Sequence, residues 1–224
     1  EQAQVTLPDH PCKTPNLDKF AQEGIRFNYA YPPMAHCCPS RASLMTGLYP
    51  SQHGIYNNVL NNQAIHTSLY PGVETFSEKL ESAGYDLYYC GKWHVTATEM
   101  PRDRGWKEVH VTSGIDTHHG IRPEQWKTVS GERYKMKRAN GEILRPGWGT
   151  YKLYGTLEEG QDCSGDFTTL RKGIDTLKSL KDSQSPWCLY IGLNGPHDPF
   201  IIPEKYSKMY NPADIMLPPN YYDD

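Results

Sequence analysis

Leu17, Phe20 and Ala21 recur at helical spacing in a segment that opens with Thr14-Pro15 and closes at Gly24. This predicts a helix over 14–24, with Pro at its first turn and Gly at its stop. The next residues, 25–31, alternate apolar positions with the two-residue period of a strand. A second helix is predicted from about Pro39 to Gly47, because Pro39 pre-sets the backbone and Arg41, Ala42, Leu44 and Met45 keep the turn spacing. Thr75-Phe76-Ser77-Glu78 has the form of a capping box, Phe76, Leu80 and Ala83 share one face, and Gly84 stops the helix before a strand over 85–90. Phe167, Leu170, Ile174 and Leu177 form the stripe of a helix over 166–181, and the apolar run 187–193 reads as a strand. Strands alternating with helices predict an α/β fold with a parallel sheet and functional loops at the C-terminal ends of its strands.

Between Thr96 and Gly165 the periodicity fails. Pro101, Gly105, Gly131, Pro146 and Gly149 interrupt it, so the stretch reads as an insertion of loops and short antiparallel strands that carries substrate contacts. The chain then divides into a core of 1–95 and 166–224 around an insertion of about 96–165. His118 and His119 lie in the insertion, where a solvated loop is favoured over a paired-histidine metal site. No internal repeat is visible. The sequence opens on Glu1 with no charged-then-apolar leader, and its last seven residues, Pro218-Pro219-Asn220-Tyr221-Tyr222-Asp223-Asp224, read as a linker in mid-course. A fragment is the expectation.

Composition narrows the function classes. The chain has 224 residues, 37% of them hydrophobic, which is enough for a buried core and too much for disorder. The run 187–193 falls far short of the roughly 18 apolar residues of a membrane span. With 23 basic and 26 acidic residues the formal charge is −3, and no basic stripe offers phosphate contacts to nucleic acid. The mildly basic stretch 133–138 reads as a solvated loop. Six cysteines, Cys12, Cys37, Cys38, Cys90, Cys163 and Cys188, are scattered without a Cys-x-x-Cys pair, which argues against a disulfide scaffold and against zinc held by thiolates.

Three segments carry chemistry. In His36-Cys37-Cys38-Pro39-Ser40-Arg41-Ala42-Ser43-Leu44-Met45-Thr46-Gly47, a Cys just ahead of a Pro-opened helix sits where free N–H groups and the positive helix end favour a thiolate or a bound oxyanion. Arg41, one turn in, can reach back to it. The adjacent Cys37 and Cys38 also admit an inert buried pair or a vicinal disulfide. Gly91-Lys92-Trp93-His94 places a cation and an imidazole two positions apart just past a strand, with Trp93 bordering the pocket. Asn194-Gly195-Pro196-His197-Asp198-Pro199-Phe200 holds His197 between two prolines at a strand end and aims it rigidly, against the alternative of a His bonded only to loop backbone. Asp198 either selects a polar or cationic substrate group or caps the turn.

The first segment closely resembles the sulfatase signature, Cys-x-Pro-Ser-Arg followed by Thr-Gly, and Gly91-Lys92-Trp93-His94 is similar to that family's Gly-Lys-x-His element. Residues 14–27 resemble its early helix and strand, which places their apolar residues in the core. Pro50-Ser51-Gln52-His53-Gly54 matches a common turn, which gives His53 a structural role. The resemblance implies that a formylglycine-generating enzyme oxidises Cys37 to formylglycine, whose hydrated gem-diol attacks the sulfur of a sulfate ester. One hydroxyl attacks and the other collapses to expel sulfate, a route closed to a plain alcohol or thiol. It further implies that Arg41 stabilises the modified residue and that Lys92 binds the sulfate oxygens. His94 then bonds a formylglycine hydroxyl and takes its proton, and His197 contacts the sulfate or protonates the leaving oxygen, with Asp198 as a further substrate contact.

The same resemblance implies an alkaline-phosphatase-like α/β sandwich, with a central mostly parallel sheet flanked by helices, of which residues 1–224 form the N-terminal part. It implies calcium, with magnesium or manganese as alternatives, held by Cys37 as formylglycine, by an acidic pair ahead of the first helix, and by an Asp with an Asn or His far downstream. At most Glu1 stands where the first pair belongs, and Asp223-Asp224 follow no strand. The other ligands are expected outside this chain, on a C-terminal part that is another chain or absent from the sequence, and the fragment alone is expected to be inactive. The expected partner is a small-molecule or glycan sulfate ester, with a sulfated carbohydrate favoured because the Trp- and Tyr-bearing insertion can stack on sugar rings. The alternatives are a phosphonate monoester or phosphodiester hydrolase on the same chemistry, and a non-catalytic sulfated-glycan-binding relative in which Cys37 stays a thiol. A periplasmic or secreted location is favoured slightly over a cytoplasmic one.

Overall fold

A computed structural model of the chain describes residues 12–60, 64–112, 142–145, 149–152, 154–158, 165–198 and 200–214. The helices are α1 (Pro15–Glu23), α2 (Cys37–Thr46), α3 (Pro50–His53), α4 (Phe76–Ser82), α5 (Asp166–Ser179) and α6 (Glu204–Ser207). The strands are β1 (Asp86–Lys92), β2 (Lys107–Thr112), β3 (Glu142–Arg145), β4 (Gly149–Lys152), β5 (Tyr154–Leu157), β6 (Trp187–Gly192) and β7 (Phe200–Pro203). The central sheet has the order β2-β1-β6, and both of its pairings are parallel. β3 and β4 pair antiparallel, and β5 pairs with β7 in parallel. This is the α/β arrangement that the alternation of strand and helix patterns predicts. Among the described residues no helix is long and apolar enough to cross a membrane.

Strand alternation decides which helix covers which face of the sheet. Leu87 and Tyr89 of β1 point into the core formed by Cys38, Ala42 and Met45 of α2, Ile55, Val59, Leu69, Trp93, Val95 and Trp106, with Phe76 and Leu80 of α4 packed against it. Tyr89 stacks on Tyr190 at 4.8 Å between ring centroids and meets Trp93 and Trp106 edge to face. Trp93 is therefore core, and its indole N–H donates to the Glu99 carbonyl at 2.8 Å. Cys90 points to the opposite face, where its thiol donates to the Thr169 carbonyl of α5.

α5 lies against the sheet through its small side chains, since Thr169 and Gly173 are its buried residues and a Cβ on Gly173 would meet Ile191 Cδ1 at 2.6 Å. Its stripe of Phe167, Leu170, Ile174 and Leu177 consequently faces outward and is exposed. The periodicity located this helix and not its packed face. The same holds at the N-terminal end, where Leu17 and Phe20 of α1, expected as core, are exposed. Residues 25–31 form no strand; Ile25, Phe27, Tyr29 and Tyr31 have no sheet neighbour and are all more than 70% exposed (Phe27 75%).

Two further elements differ from the sequence pattern. β2 falls inside the stretch read as insertion, yet it pairs with β1 from Tyr88↔Lys107 to Lys92↔Thr112 across a bulge. Its six residues are shorter than the Gly and Pro spacing that hides them. α2 begins at Cys37, two residues before Pro39, with the Ser40 N–H closing on the His36 carbonyl at 3.0 Å. Pro39 thus occupies the third helical position, where an α-helix has no use for an N–H, so it does not mark the first.

At α4 the capping box forms as predicted. The Thr75 N–H donates to Glu78 Oε2 at 2.7 Å, and Arg104 joins the same carboxylate at 3.1 Å while forking onto Glu99. His53 is fully buried: its Nδ1 accepts from the Ile55 N–H at 3.1 Å, so its Nε2 carries the proton and donates to Ser43 Oγ at 3.0 Å. That pair pins the C-terminal half of α2 to the turn after α3, the structural role expected of His53.

Candidate active site

The C-terminal ends of three parallel strands converge on the start of α2. β1 ends at Lys92 and is followed by Trp93 and His94; β2 ends at Thr112; past β6 runs Asn194 to Asp198. Cross-links tie these ends together. The Trp93 N–H donates to the Thr112 carbonyl at 3.0 Å, and Asn194 Nδ2 lies 3.4 Å from Thr112 Oγ1. Gly91 makes the approach of β1 and β6 feasible: its φ is +107°, and a Cβ there would lie 1.9 Å from the Gly192 carbonyl oxygen. The Gly that opens Gly91-Lys92-Trp93-His94 is thus required by the backbone.

Cys37 is the first residue of α2, behind an extended His36, so its side chain sits at the positive end of a ten-residue helix, although the free N–H groups expected there are largely taken: the His36 N–H donates to the Met34 carbonyl and Pro39 has none. Its thiol is half-buried and held down at about 5. Hydrogen bonding from His197 is the main cause and His94 adds to it; together they outweigh the opposing effect of burial, and the nearby Lys92 charge makes a smaller contribution in the same direction. Cys38 points the other way, into the core. Burial pushes it up to about 11, and its sulfur accepts from the Val59 N–H. Both thiols are free, which removes the vicinal disulfide. Asn58 Oδ1 caps the helix start by accepting the Cys38 N–H at 3.1 Å, a contact that the Asn57-Asn58 pair did not advertise in the sequence.

Lys92 is 2% exposed. Burial lowers its pKa, the Cys37 charge pulls the other way, and Arg41 lowers it further. Its backbone is fixed as well: the Lys92 carbonyl accepts from Arg41 Nη1 at 2.9 Å and from the Tyr89 hydroxyl at 2.7 Å, so both lone pairs are occupied. Arg41 therefore reaches from α2 to the β1 end and braces Lys92. Tyr89 shares that task, which nothing in its strand-like setting signalled.

His94 is 7% exposed and holds φ at +47°, the one non-Gly residue with positive φ among the described residues. Such strain persists where surroundings over-determine it, commonly at functional sites. Neither ring nitrogen has a partner at strict hydrogen-bond geometry, although the ring is near enough to acidify Cys37. A buried imidazole with both nitrogens open is prepared for a ligand or for a hydroxyl on residue 37.

His197 Nδ1 donates to the Asp198 carbonyl at 2.5 Å, which leaves Nε2 as the nitrogen that can exchange a proton. Its pKa is raised chiefly by Cys37, against burial, with help from the Asp198 carbonyl and carboxylate. The Asp198 carboxylate lies 3.5 Å from Nδ1, beside His197. The structure thus brings Cys37, Arg41, Lys92, His94 and His197 to one place and sets Asp198 behind His197. The loop that carries His197 and Asp198 out of β6 is held by Asp166 at the start of α5, a residue that the sequence pattern presented only as a helix opening.

The calcium that the resemblance implies would take its ligands, residue 37 apart, from outside the described residues. No three His, Cys, Asp or Glu side chains among them converge as a metal site, and the groups around Cys37 are imidazoles, an ammonium and a guanidinium, which suit an anion. Glu1, Asp223, Asp224, His118 and His119 lie outside the described residues.

Comparison with known proteins gives the family. The sulfatase family pattern matches residues 1–218. The choline-sulfatase of Rhizobium meliloti is 27% identical over 217 residues, which cover 95% of this chain and 40% of that protein. The ulvan-active sulfatase of Formosa agariphila is 30% identical over 219 residues, 95% of this chain and 36% of that one. In three dimensions, the phosphonate monoester hydrolase of Agrobacterium radiobacter superposes with a TM-score of 0.61 at 20% identity, over 92% of this chain and 40% of that chain, a likeness of fold. The chain spans about two fifths of the length of these relatives. Matched by the family pattern across nearly its whole length, the chain belongs to the sulfatase family.

Proposed function

We propose that this chain carries the nucleophile and the anion-binding groups of a sulfuric ester hydrolase, acting on a sulfated carbohydrate through formylglycine formed from Cys37. The observation that carries the reading is the placement of Cys37 at the N-terminus of α2, under His94, His197 and Lys92. Membership of the family supports the reaction class. The ulvan-active relative supports a carbohydrate as the sulfated group.

The hydrated aldehyde supplies a nucleophilic hydroxyl together with a second hydroxyl for collapse. The chain's own residues do the rest. Lys92 and the positive end of α2 oppose the charge on the sulfate oxygens, in a buried setting where a charge-assisted hydrogen bond is strong. His94 takes a hydroxyl proton at residue 37. His197 delivers a proton from Nε2 to the oxygen of the departing alcohol, and Nδ1 stays committed to the Asp198 carbonyl. Arg41 and Tyr89 hold the Lys92 backbone so that its ammonium needs no reorganisation. The metal ligands of the reading would come from residues outside those described.

The test uses chain matured with a formylglycine-generating enzyme and offered an aryl sulfate and an aryl phosphonate, with inorganic sulfate as a ligand. Faster turnover of the sulfate supports the reading, and loss of sulfate binding in Lys92→Ala supports the role of Lys92. Faster turnover of the phosphonate replaces it with a phosphonate monoester hydrolase. Sulfate binding with Cys37 unconverted and no turnover replaces it with a non-catalytic binder.

A further inference from the structure

Asp166, the first residue of α5, accepts the Asn194 N–H at Oδ1, 2.7 Å away, and the Gly195 N–H at Oδ2, 2.8 Å away. These are consecutive amides of the loop that leaves β6, and the same loop closes on itself when the His197 N–H donates to the Asn194 carbonyl at 3.1 Å. The contact depends on a missing side chain, since a Cβ on Gly195 would lie 2.9 Å from Asp166 Oδ2. Asp166 is also near enough to raise the pKa of Lys92. One carboxylate thus grips the loop two and three residues before His197 and presents its charge to the cation of the same site.

We propose that Asp166 is a positioning residue: by taking both loop amides it fixes the aim of the His197 imidazole at Cys37. A loop amide pair bound to a carboxylate cannot rotate without breaking two charge-assisted hydrogen bonds, so the turn that carries His197 has one orientation. An Asn in place of Asp166 offers one acceptor, and its NH2 group turns toward the second amide, donor against donor. The loop then loses its fixed orientation while α5 keeps its buried face of Thr169 and Gly173.

The inference rests on the pairing of His197 with Cys37 and is read through Cys37 itself, without any turnover. Chain made without a formylglycine-generating enzyme retains the thiol. The pH dependence of Cys37 alkylation by iodoacetamide is then followed on the 27–41 tryptic peptide in the parent, Asp166→Asn, His197→Gln and the double variant. The parent midpoint is expected at about 5. Both single variants should raise it by about one pH unit or more, which slows alkylation at pH 5 about fivefold or more. The double variant should rise no further than His197→Gln alone.

A folded Asp166→Asn chain with an unmoved midpoint, beside a shifted His197→Gln, overturns the positioning role and leaves the site reading intact. An unmoved midpoint in His197→Gln overturns both. If Asp166→Asn does not fold, Asp166→Glu takes its place, since it keeps both acceptor oxygens on a longer arm. A shift in Asp166→Glu smaller than that of His197→Gln is then the expected result, and no shift overturns the proposal.

Discussion

At Cys37 and Cys38 two neighbouring thiols of identical covalent chemistry are driven apart by the direction in which α2 points them. Cys37 meets two imidazoles and an ammonium and is held at about 5; Cys38 meets the core and is pushed up to about 11. The thiolate is the nucleophile, so in unmatured chain Cys37 should react with iodoacetamide at pH 6 and Cys38 should stay unlabelled until the chain unfolds. Peptide mass spectrometry after brief labelling checks this, and equal labelling of both sulfurs would refute the assignment. The sign of the stability linkage follows. A thiol whose folded pKa is depressed contributes stability in full above its ordinary value near 9, and that contribution fades as the pH falls through 5.

Among the elements, α4 shows how a local signal becomes a tertiary one. Burial pushes the Glu78 carboxyl up, but the Thr75 N–H and hydroxyl together with the Arg104 guanidinium outweigh it and hold the group below the usual carboxylate range. Removing this cap in Glu78→Ala should cost about 1–2 kcal/mol in urea unfolding at pH 7. The charge-dependent part of the loss is present above the ordinary carboxylate value, about 4.3, and disappears as the pH drops through the lower folded value. A Glu78→Gln difference that is constant from pH 7 to pH 3 would contradict the mechanism.

The capping box was legible because its partners lie three residues apart. β2 was not legible, since its six residues become a strand only by pairing with β1. Likewise the apolar stripe announced α5, whereas its packed face is made by Thr169 and Gly173, small residues that pattern reading discounts. The site shows the same division. Cys37, Lys92 and His94 sit in short recognisable runs, but Asp166, Asn58 and Tyr89 act across 28, 20 and 3 positions through bonds that sequence spacing does not display.

Over the whole molecule, many large apolar residues of the described structure stand exposed, outside the core. Leu17, Phe20, Phe27, Phe167, Ile174 and Leu177 belong to this exposed set. Apolar surface of that extent drives association. The isolated chain should therefore sediment as concentration-dependent oligomers that a non-ionic detergent disperses, and a monomer at all concentrations with no detergent effect would show those faces to be covered in solution. The nucleophile is tested at a single residue, by the mass of the tryptic peptide 27–41 from chain produced together with a formylglycine-generating enzyme. The account predicts an aldehyde in place of the Cys37 thiol with Cys38 intact. A peptide that keeps both thiols, or that carries the change at Cys38, would contradict it.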